Sequence, residues 1–126
     1  MKLFAPQTYW NMTETARNEI AGGCGSGKVG DWLVPDTIYG LNVKKACRIH
    51  DVMYFLGTTN KDKKAADRVF LNNMLRIIKG GTKWWLLRRL RILRAYTYYK
   101  AVKRFGARAF WHNKNSDTEF KDGRLA

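Results

Sequence analysis

The chain predicts an all-α fold. Three observations carry that expectation. Val43, Cys47, His50 and Tyr54 recur at intervals of four, three and four residues, which places them on one helical face. Asp67, Phe70, Leu71, Met74 and Ile78 share a face further along. Glycine pairs and polar clusters punctuate these segments, and the two prolines leave them uninterrupted. A length of 126 residues fits one domain. Hydrophobic residues make up 45% and charged residues 27%, a globular rather than a disordered composition.

The elements follow in order. Residues 1–10 read as irregular and aromatic. A short helix is expected from Thr13 to Ile20, with Asn11 or Thr13 as its cap. Gly22-Gly23-Cys24-Gly25-Ser26-Gly27 stops it, and residues 28–38 read as loop because Gly30, Pro35 and Asp36 break regular structure. A second helix is expected over about 40–56, closed by Gly57 and Thr58-Thr59-Asn60. A third is expected over about 61–79, ended by Gly80-Gly81. A fourth is expected over about 82–105 and is rich in Trp, Leu, Tyr and Arg. Leu86, Leu90 and Leu93 form one stripe on it, and Trp85, Ile92, Tyr96 and Tyr99 form another. Stripes of this kind are expected to face a core. Residues 113–126 read as a polar tail.

Charge narrows the function classes. Lys and Arg number 24 against 10 Asp and Glu, a formal net charge of +14. Residues 79–112 hold ten basic residues and no acidic one, so most of the field sits in the fourth helix. That field predicts a polyanionic partner, either nucleic acid or an anionic membrane surface. No charge-free apolar stretch of about 18 residues exists, so no membrane-crossing helix is expected. The opening Met1-Lys2-Leu3-Phe4-Ala5-Pro6 lacks the apolar core of a secretory signal.

Three features carry chemistry together. The glycine-rich turn around Cys24 can direct several backbone carbonyls, or several N–H groups, at one point. By itself such a turn is no more than a helix stop. A phosphate-loop reading fails, because Val29 stands where that motif needs a hydroxyl after Lys28. His50 and Asp51 offer a base and a metal-binding carboxylate side by side. Asp67 falls on an apolar face, where a carboxylate is costly unless paired, and His50 is its natural partner.

These residues resemble a family. Cys47-Arg48-Ile49-His50-Asp51-Val52-Met53-Tyr54 is similar to the Cys-x-x-His-Asp-x-x-Tyr active-site helix of the calcium-dependent phospholipase A2 superfamily. Gly23-Cys24-Gly25-Ser26-Gly27 resembles its calcium loop, with Gly23 in place of the usual tyrosine. Ala66-Asp67-Arg68 resembles its second catalytic carboxylate on the following helix. The three stand in the family's order within residues 13–79. The short interval from His50 to Asp67 leaves no room for the usual β-wing. That compactness is closer to the microbial and viral branches. The family's second tyrosine partner of the carboxylate has no obvious match.

The resemblance implies a compact phospholipase A2-like fold. Two antiparallel core helices would be linked to a glycine-rich calcium loop, and a basic aromatic C-terminal helix would follow. Residues 1–112 would form one catalytic domain. It implies calcium-dependent hydrolysis of the sn-2 ester of glycerophospholipids. Ca2+ would be held by the carbonyls of Gly23, Gly25 and Gly27 and by the carboxylate of Asp51. The Gly25 N–H would help stabilise the oxyanion, His50 would be general base on a water, Asp67 would orient it, and Tyr54 would bond Asp67. It also implies a Cys24–Cys47 disulfide between loop and helix, which would favour a secreted or membrane-associated protein. Trp84, Trp85, Arg88, Arg89, Arg91 and Arg94 suit a phospholipid headgroup interface. The competing readings are an inactive phospholipase-like protein that perturbs membranes, and a basic nucleic-acid-binding module.

Overall fold

In chain order, among residues 3–20 and 35–111 that the computed structural model describes, the elements are α1 (Gln7–Asn11), α2 (Glu14–Ile20), β1 (Thr37–Ile38), β2 (Leu41–Asn42), α3 (Lys44–Leu56), α4 (Asn60–Gly81), α5 (Trp85–Phe105) and α6 (Ala107–Phe110). The molecule is mostly helical, as the periodicity predicts. α4 is the central element and packs against both α3 and α5.

Each long helix has a local cause. Thr59 Oγ1 accepts from the Asp62 N–H at 3.1 Å, and Asp62 Oδ2 accepts from the Thr59 N–H at 3.2 Å. This reciprocal cap starts α4 and contributes about 1 kcal/mol. Gly57 ends α3, and only a glycine fits there, since a Cβ would come 2.6 Å from the Phe110 ring. The three-residue connection turns the chain back on itself. α3 and α4 therefore run antiparallel, with His50 opposite Asp67 and Tyr54 beside Lys63.

The core fills the space between these helices. Val43, Cys47 and Val52 from α3 and its approach meet Phe70, Met74 and Ile78 of α4, with Ala95 and Val102 of α5. Asn73 is fully buried, and its side chain bonds the Phe4 backbone twice, at 2.6 and 2.8 Å. That pair ties the N-terminal segment to α4. On α2, Thr13 is the cap, accepting from the Ala16 N–H at 3.1 Å.

The structure departs from the sequence expectations in four places. A short helix, α1, occupies part of the segment read as irregular. A two-residue hairpin turn at Tyr39-Gly40 replaces the expected start of the second helix. Both turn residues have positive φ, 45° and 81°, which a right-handed helix forbids and a tight hairpin favours. The helix begins only at Lys44, whose N–H donates to Asn42 Oδ1 at 2.8 Å. Gly80 and Gly81 lie inside α4 rather than after it, and Thr82, in extended conformation, is its cap.

The fourth departure concerns α5. Leu86, Leu90 and Leu93 do not face the core; they are 37%, 43% and 58% exposed. Ala95 and Val102, one on each of two turns, face α4 instead. Their small side chains let the two helices approach closely. Ile92, Tyr98 and Ala101 flank that contact. No helix among the described residues is long and apolar enough to cross a membrane.

Candidate active site

The α3–α4 seam holds a buried polar cluster centred on Asp67. His50 lies on the α3 face that meets α4, and Asp67 lies opposite it on α4. His50 Nε2 is 2.8 Å from Asp67 Oδ1. The Tyr54 hydroxyl, one turn along α3, donates to the same oxygen at 2.5 Å. All three residues are at most 5% exposed. Phe70 stacks on the His50 ring at 4.7 Å between centroids, and Phe110 meets Tyr54 edge-on at 5.2 Å. The two phenylalanine rings thus pack one on each of these side chains.

The other carboxylate oxygen has a partner the sequence reading missed. Lys63 Nζ donates to Asp67 Oδ2 at 2.8 Å. It also donates to the carbonyls of Val102 and Lys103, at 3.2 and 3.3 Å. Lys63 is therefore both the second partner of the carboxylate and a strap from α4 to the end of α5. One signal was visible: Lys63 precedes Asp67 by four residues, the spacing at which helical side chains meet.

Electrostatics follow from this geometry. Burial alone pushes the Asp67 carboxyl upward, but hydrogen bonds from His50, Lys63 and Tyr54 outweigh it and hold the group below the usual carboxylate range. Burial pushes the His50 pKa down; Asp67 opposes that, and the Lys63 cation adds to it. Burial thus favours the uncharged ring. With Asp67 ionised and accepting, Nε2 carries the proton and Nδ1 carries the lone pair. Burial, and then the Asp67 charge, pushes the Tyr54 hydroxyl far up, so it stays protonated and donates. A neutral imidazole held in one tautomer by a carboxylate is equipped to take a proton.

The remaining predicted residues fall into two groups. Asp51 is buried at 4% exposure beside His50 on α3. Its hard oxygens suit calcium, which takes carboxylates and carbonyls alike. Gly23, Cys24, Gly25 and Gly27 lie outside the described residues, so the loop ligands and the Cys24–Cys47 pairing do too. Among the described residues no cluster of three His, Cys, Asp or Glu side chains forms a metal site by itself. Cys47 is buried, and no free cysteine occurs among the described residues.

The basic residues of α5 separate. Trp84 and Trp85 are 59% and 69% exposed, and Arg89 is exposed as well. Arg88 turns back, donating from Nη2 and Nε to the Thr82 carbonyl at 2.7 and 3.2 Å. Arg91 bonds Thr82 Oγ1 and the Tyr39 carbonyl, both at 2.8 Å. These bonds hold the hairpin and the α4–α5 turn. Arg94 is exposed and reaches the Tyr39 hydroxyl at 2.9 Å.

A separate cleft of about 700 Å³ lies between α1, α2 and α3, lined among others by Tyr9, Trp10, Arg17 and Arg48. Among its described lining residues it includes neither His50 nor Asp67. No protein-family model matches the chain, and no curated protein or solved structure is detectably similar to it.

Proposed function

We propose that the chain is a calcium-dependent phospholipase A2-like hydrolase acting on the sn-2 ester of glycerophospholipids. The observation that carries this reading is the buried His50–Asp67 contact of 2.8 Å with Tyr54 on the same carboxylate oxygen. A carboxylate that accepts from the ring nitrogen orients the imidazole for proton abstraction.

His50 accepts a proton from water at Nδ1, while Asp67 holds the ring and stabilises the imidazolium that forms. Tyr54 fixes one carboxylate oxygen and Lys63 the other, so the base cannot rotate away. Asp51, with the carbonyls of Gly23, Gly25 and Gly27, would hold calcium. Bound there, the ion would bind the lipid phosphate and polarise the ester carbonyl. The Gly25 N–H would stabilise the oxyanion. A Cys24–Cys47 disulfide would tie the glycine loop to α3. Burial of Cys47, and Cys24 as the one other cysteine of the chain, support it.

The test is fatty-acid release from phospholipid vesicles with calcium and with chelator, for wild type and Asp51→Asn. Release that needs calcium and is lost in Asp51→Asn supports the reading. Release unaffected by chelation contradicts the calcium mechanism.

A further inference from the structure

We propose that the outward face of α5 pairs, in coiled-coil fashion, with an acidic amphipathic helix of a partner protein. This surface is independent of the hydrolase reading, since it shares no residue with the His50–Asp67 seam.

Leu86, Leu90, Leu93, Thr97, Lys100 and Arg104 follow one another at four, three, four, three and four residues. All six are exposed. That alternation is the seven-residue repeat by which one helix meets another along a single line. The inward side of α5 keeps the same repeat. Arg88, Ala95 and Val102 stand seven residues apart on the opposite side, with Ala95 and Val102 buried in the core. α4 therefore takes one side of α5 and leaves an unbroken heptad line on the other. Trp84 and Trp85 stand exposed at the N-terminal end, beside the leucine half of the line.

The width of the line selects the kind of partner. Arg89 borders the leucines on one side and Arg94 on the other, both exposed. Tyr96 and Lys103 continue the Arg89 border, exposed as well. An apolar stripe this narrow is the coiled-coil kind, whereas a helix that lies on a core or in a bilayer interface has a broader apolar face.

Charge selects the partner's chemistry. Residues flanking a pairing line decide which helix is accepted. Here Arg89, Arg94 and Lys103 are all basic, and Lys100 and Arg104 bring charge onto the line itself. Residues 79–112 contain no acidic side chain, so a second copy of α5 would bring like charge against like. Nucleic acid would satisfy the cations and leave three leucines unburied. The fitting partner is a helix with apolar residues facing Leu86, Leu90 and Leu93, and with Glu or Asp at its flanks and opposite Lys100 and Arg104. The leucines supply the buried centre of such an interface, and the cations set orientation and partner choice.

The test uses the full chain and a synthetic peptide of about four heptads, with leucine at the line positions and glutamate at the flanking ones. Repulsion among the glutamates keeps this peptide from pairing with itself. A second peptide carries lysine in place of glutamate. Binding is read by fluorescence anisotropy. The glutamate peptide is expected to bind, and the lysine peptide to bind roughly tenfold more weakly or less. That comparison needs no variant of the protein. Leu90→Ser/Leu93→Ser is expected to lower affinity for the glutamate peptide roughly tenfold or more. Arg89→Glu/Arg94→Glu is expected to reverse the preference between the two peptides. The four side chains are exposed, so circular dichroism of both variants should match the wild type. Equal affinity for the two peptides, or no binding of the glutamate peptide, overturns the proposal. So does equal binding by the leucine variant. Leucine-dependent self-association, or leucine-dependent binding to anionic vesicles or to single-stranded DNA in place of the peptide, overturns it as well.

Discussion

The α3–α4 seam and the outer face of α5 use charge in opposite ways. In the seam, Asp67 is 2% exposed and meets His50, Tyr54 and Lys63 at 2.5 to 2.8 Å. Each member is held by another, so removing one leaves a buried group without its complement. On the outer face of α5 the cations stand in water around exposed leucines. Their effects are screened and close to additive. The same residue type can belong to either regime: Arg88 is bonded inward to Thr82, and its neighbour Arg89 is exposed. Position relative to the helix axis, not charge itself, decides which.

The sharpest way to break this contrast is Lys63→Met. It leaves Asp67 without one partner and cuts the strap to Val102 and Lys103. Removing one partner of a buried ion pair costs roughly 3–5 kcal/mol, which denaturant unfolding would register. A structural loss alone would not move a titration. Because the Lys63 cation lowers the His50 pKa, its removal should raise that pKa, and the acid limb of activity should shift to higher pH. An unchanged limb would limit Lys63 to a structural role.

Gly106→Ala comes next. A Cβ there would meet the Val102 carbonyl and lie 2.5 Å from the Tyr54 hydroxyl, so the backbone at the end of α5 and Tyr54 must both give. Overpacking of this kind costs about 1–3 kcal/mol. The Tyr54–Asp67 bond should loosen with it, and activity should fall more than stability.

Acid titration probes the seam without mutation. The His50 pKa is lowered by folding, so its contribution to stability is present above about pH 6.5, the unfolded value, and is lost as pH falls through the folded value. The Asp67 pKa is also lowered, and its contribution is lost in a second window that begins below about pH 4. Unfolding free energies should therefore start to drop near pH 6.5. In His50→Gln the upper window should vanish and the lower one should remain.

The smallest effects separate the arginines. Arg88→Gln loses two bonds to the Thr82 carbonyl and should cost about 1 kcal/mol. Arg89→Gln should stay within about 0.5 kcal/mol in stability. If the two proved equal, the division of α5 into an inner and an outer face would fail.

How much of this was legible in the sequence differs between the two regions. His50, Tyr54 and Asp67 were readable because helical spacing places them on facing stripes and a buried carboxylate needs a partner. Lys63 was readable in principle from its spacing to Asp67. It was missed because lysine on a polar helical stretch is ordinarily solvated, and its bonds to the end of α5 are long-range in sequence. The hairpin was hidden by its size, since two-residue strands leave no alternation to see. The orientation of α5 was not legible, because apolar and basic residues surround the helix on every side. Ala95 and Val102 decided it by permitting close approach, and small residues give no stripe signal.

The most direct measurement of the central claim is fatty-acid release from anionic phospholipid vesicles by wild type and His50→Gln, with calcium present. His50 as general base predicts release by the wild type, loss by about a hundredfold or more in His50→Gln, and an unchanged helical spectrum. Equal release by the two proteins, or none from either under conditions where both bind the vesicles, would contradict it.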